Sequence, residues 1–326
     1  MYKKMLLMII GLVLFGGLSA QKSLERIANE TAAKADSLYE AQQFVEAGKT
    51  YEEAVEKFKQ AVEETDIPMD ERKVGLWYRN AYASYANGKD FENAARVMEE
   101  RIKLEPNNYR LVEVLAHIYK KYLNDIPRAI EVLKDYNKRN RSFEVEEKIG
   151  NYYVDANDLE NALIWYESAY ELKKDSQVIR NIATIYVKLG ESEKAIQAYE
   201  DFLETEPSES VLAKTYKNMG ALYDKIERKE QSFNYYEKSL ALRYDRNIAL
   251  LLLSEYYDRE QFDKAKEKVD LILSKSAADN DALYYKAMMN YNSGNLRQAK
   301  ADFEKIKNNP RYKDIAEGYI ESIESE

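Results

Sequence analysis

At 326 residues, with 33% charged and 45% hydrophobic side chains, the chain has the apolar content to fold and is too apolar for a disordered polyelectrolyte. Its formal charge of −9 disfavours nucleic acid and anionic membranes as partners. The lack of cysteine excludes disulfides, thiolate metal sites and cysteine nucleophiles, so stability has to come from packing.

Lys3 and Lys4 make a basic start, Met5 to Phe15 an apolar run, and Leu18-Ser19-Ala20 a small-residue cleavage site. That layout predicts a secretory signal peptide over residues 1–20. Even Met5 to Leu18 is 14 residues, short of the roughly 20 that span a bilayer as a helix. The expectation is an exported chain, periplasmic in a Gram-negative bacterium, with no integral membrane segment after cleavage. No cysteine follows the apolar run to take a lipid anchor.

Ser23 is placed to cap a long first helix running through Leu24, Ile27, Thr31, Ala35 and Leu38. A step of 47 residues then separates Ala47 from Ala94 and leaves Glu63 to Arg72, with Ile67-Pro68, as an extra loop or an extended helix end. The next two inter-helix turns read as one residue longer than the rest, which leaves the register of their first helices open by one. From there the pattern sharpens. Ile149, Gly150 and Tyr153 precede Leu159, Ala162, Tyr166 and Ala169. Ile179, Ile182, Ala183 and Tyr186 fall on one helical face, and after Gly190 a second stripe follows at Ala195, Tyr199 and Phe202, ended by Pro207. Tyr216, Met219, Gly220 and Tyr223, then Ser232, Tyr236 and Ser239, repeat the arrangement. Two later copies are degenerate, with Leu253 where a small residue is expected and Asn290 where an aromatic is expected. Residues 311–326 close the chain with Ile315, Ala316, Tyr319, Ile320 and Ile323 on one stripe, which reads as a capping helix.

The small residues Ala47, Ala94, Ala129, Ala162, Ala195, Ser232, Ala265 and Ala299 stand 47, 35, 33, 33, 37, 33 and 34 apart. Four residues after them come Tyr51, Met98, Leu133, Tyr166, Tyr199, Tyr236, Val269 and Phe303. This pattern resembles the tetratricopeptide repeat family, whose period is about 34 residues. The resemblance implies an all-α, right-handed solenoid of about eight helical hairpins over residues 21–310, with the capping helix behind it and the first helix of each hairpin on a concave surface.

Projected onto that surface, Arg180, Lys188, Lys214, Lys217 and Lys225 form a basic strip in an acidic chain, followed by Leu250, Tyr257, Tyr284, Met288 and Tyr291. Earlier, Glu144, Glu147 and Asp155 make the surface acidic. A basic strip beside aromatics suits an extended acidic peptide. The clamp for terminal carboxylates used by chaperone-binding members is matched only in part: Asn151, Asn181 and Lys214 fall at its positions, but Glu147 and Asn218 stand where cations are required. Most of the 28 tyrosines, among them Tyr119, Tyr153, Tyr186, Tyr223 and Tyr256, read as packing residues. The single histidine, His117, reads as a solvated helix residue near Lys120 and Lys121. No catalytic motif, metal-ligand cluster or Gly-rich phosphate loop appears, so no cofactor is expected. The expected function is a non-enzymatic scaffold or adaptor that holds a protein or peptide partner; the alternative is a glycan-handling helical-repeat protein.

Overall fold

The computed structural model describes residues 24–65 and 67–325; the signal peptide expected over 1–20 and the cap expected at Ser23 lie outside them. Two compact units divide at Lys174 and Asp175. The first holds α1 (residues 24–40), α2 (Phe44–Thr65), α3 (Glu71–Asn87), α4 (Phe91–Leu104), α5 (Tyr109–His117), α6 (Ile126–Arg139), α7 (Phe143–Asp155) and α8 (Leu159–Leu172). The second holds α9 (Ser176–Leu189), α10 (Ser192–Leu203), α11 (Glu209–Lys225), α12 (Lys229–Leu242), α13 (Arg246–Asp258), α14 (Phe262–Lys275), α15 (Asn280–Asn292), α16 (Leu296–Ile306) and α17 (Lys313–Ser325). In each unit the helices pair as hairpins.

One backbone device makes every hairpin. Gln42, Lys89, Asn124, Asn157, Gly190, Glu227, Glu260 and Gly294 all have positive φ, and each stands five residues before its small anchor. The left-handed residue turns the chain, and the next N–H returns to a carbonyl near the end of the first helix, as from Arg228 to Tyr223 at 2.8 Å and Gln261 to Tyr256 at 2.8 Å. Glycine adopts this conformation freely at 190 and 294; the side chains elsewhere pay a steric cost.

The turn delivers the anchor into the interface between the paired helices. All eight anchors are 0% exposed. Small residues there let the helices close, and large rings fill the remaining space. A Cβ on Gly150 would stand 2.8 Å from the Tyr166 ring, and one on Gly220 only 2.6 Å from the Tyr236 ring. Within each unit, first-helix tyrosines tie hairpins to the ones before them. Tyr85 donates to Glu52 at 2.5 Å, Tyr119 to Glu99, Tyr223 to Glu200 at 3.2 Å and Tyr256 to Glu237 at 3.0 Å. Burial first, then the neighbouring carboxylate, pushes the Tyr119 phenol up to about 12; burial and Glu200 do the same for Tyr223.

Three expectations are corrected. The buried face of α1 is Ala28, Thr31, Ala32 and Ala35, with Ile27 38% exposed, because the small side chains are what let α1 approach Tyr51, Ala54, Val55 and Phe58. The turn after α3 is of ordinary length: three residues, Gly88 to Asp90, separate α3 from α4, as three separate α7 from α8. The extra residue of the next hairpin sits inside its first helix, where α5 widens into a π turn over Ile118–Tyr122, and the Asp125 N–H accordingly reaches back six residues to the Tyr119 carbonyl. That keeps Tyr119 in place against Glu99. Glu63 to Thr65 extend α2, which runs 22 residues.

In α17, Ala316 and Ile320 pack with Phe303 and Ile306 of α16, while Ile315 stays 43% exposed, one position off the stripe expected for it. The outward positions Lys313, Asp314, Glu317, Glu321 and Glu324 are exposed, a polar face on the last helix of the stack.

Candidate binding surface

Several charged first-helix residues of the first unit are tied in ion pairs. Lys148 of α7 meets Glu113 of α5 at 2.7 Å, and Lys120 meets Asp155. Glu146, 2% exposed on its side chain, accepts from Arg141 at 2.8 Å, Ser168 at 2.7 Å and Asn137 at 3.1 Å. Burial acts to raise its pKa, but those three donors outweigh it and hold the carboxyl below its ordinary value. His117 is exposed and meets Tyr122 edge-on at 5.8 Å.

The second unit differs along α9 and α11. Lys188, Lys214 and Lys225 are exposed and Arg180 is half-buried. Among the described residues none of the four has a carboxylate in ion-pair range; Arg180 donates only to Gln177. The Lys225 ammonium reaches the C-terminal end of α9, 3.8 Å from where a Cβ on Gly190 would lie. Lys217 does not belong with them: it pairs at 2.6 Å with Asp245, whose carboxylate also accepts from the first N–H groups of α13. The Lys217 ammonium and those N–H groups hold the Asp245 carboxyl below its ordinary value. Lys217 is a brace between hairpins, and only a neighbour 28 residues away reveals it.

The apolar residues form a second zone. Leu250 and Tyr284 line one cleft of about 520 Å³ with Leu251, Tyr285, Tyr312 and Ile315. Leu251 is 37% exposed there. Asp281 fixes the cleft's edge through Arg246 at 2.5 Å, Arg311 at 2.8 Å and the Tyr312 hydroxyl. Burial would raise Asp281, yet Tyr312 and the guanidiniums together lower it. Tyr284 stacks on Tyr312 with ring centres 4.9 Å apart, Tyr291 meets Tyr319 at 4.8 Å, and Tyr257 accepts from Asn292 at 3.0 Å. Met288 packs beside Tyr284 and Tyr291. These rings brace the repeats and are half-buried or buried. Arg311, Tyr312 and Leu251 escaped the sequence reading because two lie beyond the last repeat and the third projects from α13 outside the repeat pattern.

The asparagines at clamp positions have packing partners. Asn151 accepts from Tyr166 at 2.7 Å within its own hairpin, and Asn218 donates to Tyr199 at 3.0 Å on the second helix of the preceding hairpin. Among the described residues, no group of His, Asp and Glu could hold a metal ion, and no helix is long and apolar enough to cross a membrane.

Residues 147–176, 181–209 and 213–246 match the tetratricopeptide repeat family, and residues 281–311 match a second tetratricopeptide repeat description. With its hairpins and small-residue anchors, the chain is a tetratricopeptide-repeat protein, an all-α array of helical hairpins. It is 30% identical over 99 residues to the heat shock protein STI1 of Saccharomyces cerevisiae, matching 29% of this chain and 17% of that protein. Over 72 residues it is 38% identical to the photosystem I assembly protein Ycf3 of Synechococcus, 21% of this chain and 40% of that one. The match therefore spans under half the length of either relative. Among solved structures, a MamA protein at 22% identity covers 52% of this chain and 91% of its own, with a TM-score of 0.42.

Proposed function

We propose that this protein is a non-enzymatic scaffold or adaptor of a bacterial cell envelope, which holds an extended acidic segment of a partner protein along the first helices of its second unit. The observation that carries this reading is the set of unpaired cations, Arg180, Lys188, Lys214 and Lys225, on α9 and α11 of a chain whose formal charge is −9. On other first helices Lys73, Lys120, Lys148 and Arg246 meet carboxylates, while Arg72, Arg79, Arg110 and Lys286 are scattered without one among the described residues; on α9 and α11 four such cations are left to solvent together. An acidic segment neutralises them, and hydrophobic side chains that follow it enter the cleft beside Leu250 and Tyr284. Tetratricopeptide repeats serve as protein-interaction modules, and the apolar N-terminal run with its basic start supports export. The glycan alternative is disfavoured at Tyr284, whose ring stacks on Tyr312 where a sugar would need an open ring face.

The test is affinity capture from the envelope fraction of the source cells, comparing wild type with the double variant Lys188→Glu, Lys214→Glu. A partner retained by wild type and lost by the variant supports the reading. The same partner held equally by both overturns the placement on α9 and α11.

A further inference from the structure

In four of the earlier hairpins a first-helix tyrosine packs against the preceding second helix and bonds a glutamate there; between α6 and α7 Tyr153 instead lines an open cleft of about 450 Å³ with Lys134 at the glutamate's position, and the last hairpin lacks the ring altogether. The occupied gaps have a common construction. The ring lies over the residue after the small anchor, with Tyr85 against Gly48, Tyr119 packed with Ala95 and Tyr256 against Phe233 at 5.9 Å. Its hydroxyl donates to a glutamate five residues after that anchor: Glu52 after Ala47, Glu99 after Ala94, Glu200 after Ala195, Glu237 after Ser232.

At α14 and α15 the acceptor is kept and the ring is missing. Asp270 stands five residues after Ala265, and Asn290 occupies the tyrosine's position, nine residues before Ala299 as Tyr256 is nine before Ala265. Asn290 turns to donate to the buried Asp302 at 3.1 Å. What remains is a cleft of about 460 Å³, lined by Phe262, Lys266, Val269, Asp270, Met289 and Asn290. That volume lies in the range of small-ligand sites. Among the described residues Asp270 has no hydrogen-bond or ion-pair partner, and neither do Lys266 across the gap or Lys286 at its rim.

We propose that this cleft binds a tyrosine side chain of a partner polypeptide, seated between Val269 and Met289 with its hydroxyl donating to Asp270, as the chain's own tyrosines do on Glu52, Glu99, Glu200 and Glu237. The site is separate from the basic strip on α9 and α11, and the proposal does not depend on it. The apolar walls supply contact for the ring, the carboxylate supplies a charge-assisted acceptor, and the four filled gaps define the chemistry of the vacant one.

The test titrates the wild-type protein with p-cresol, with 4-methylanisole, which lacks the donor, and with the capped peptide acetyl-Gly-Tyr-Gly-amide, following backbone amide chemical shifts. Saturable shifts confined to residues 262–272 and 286–295 are expected for p-cresol and for the peptide, with 4-methylanisole roughly tenfold weaker, the worth of one hydrogen bond to a charged group. Asp270→Ala, on an exposed position, should remove that preference. Asn290→Tyr should fill the gap and abolish binding; if that variant does not fold, Lys266→Phe closes the same space from the opposite wall and should do likewise. Shifts that do not saturate, or binding that survives both filling variants, overturn the site. Binding of p-cresol without the peptide overturns the assignment to a polypeptide side chain.

Discussion

The two units share a backbone and differ in what their surface groups are tied to. In the first, three of the four second helices start on aspartate caps: Asp90, Asp125 and Asp158 accept from the N–H three residues on at 3.2, 3.0 and 3.1 Å. In the second, the corresponding residues Glu191, Arg228, Gln261 and Asn295 make no side-chain cap bond. Lys148 and Lys120 of the first unit meet carboxylates of neighbouring first helices, whereas Lys188, Lys214 and Lys225 of the second do not. Packing anchors therefore carry the architecture in both units, while caps and ion pairs vary freely around them. Where the local ties are relaxed, side chains stay available to a partner.

That contrast breaks first if the packing differs between units. Gly150→Val and Gly220→Val each drive a side chain into a tyrosine ring, and both are expected to cost about 1–3 kcal/mol by chemical denaturation. A large cost in one unit and none in the other would show that the hairpins are not built alike. Ser232 is the one anchor with a hydroxyl, 0% exposed and without a partner for its Oγ, where seven sister positions carry alanine. Ser232→Ala should stabilise the chain by about 1–2 kcal/mol, and a loss of stability would mean that the hydroxyl is satisfied. The caps sharpen the comparison further. Asp90→Ala and Asp158→Ala should each cost about 1 kcal/mol, against nearly nothing for Glu191→Ala or Gln261→Ala, read from midpoints of denaturation.

The smallest effect is alkaline. Tyr119 and Tyr223 are raised in the folded chain from 10.0 to about 12, so the folded state holds their protons where the unfolded state has lost them. Their contribution is complete below pH 10 and lost as the pH rises to about 12, so melting temperature should fall across that window. Tyr119→Phe and Tyr223→Phe should flatten the fall.

The anchors and the hairpins were legible because a buried small residue followed by a large one at a spacing near 34 residues leaves a periodic trace. Residues whose role depends on a neighbour from another hairpin left none. Lys217 looks like Lys214 in sequence, and Asp245 separates them. The π turn at Ile118–Tyr122 was visible only as one residue too many, since a helix can absorb it as readily as a turn. Ile27 and Ile315 looked inward by hydrophobicity, but close helix packing at alanines turned them out. Asn290 was legible as a missing aromatic; that its absence would leave Asp270 facing an open cleft was not.

The central claim is that free cations on α9 and α11 select an acidic segment. Panning a random twelve-residue peptide library against the wild-type protein and against Lys188→Glu, Lys214→Glu tests it most directly. The expected result is enrichment of sequences with clustered Asp and Glu next to aromatic or aliphatic residues on wild type, and loss of that enrichment on the variant. Peptides without acidic residues that bind both proteins equally would contradict it.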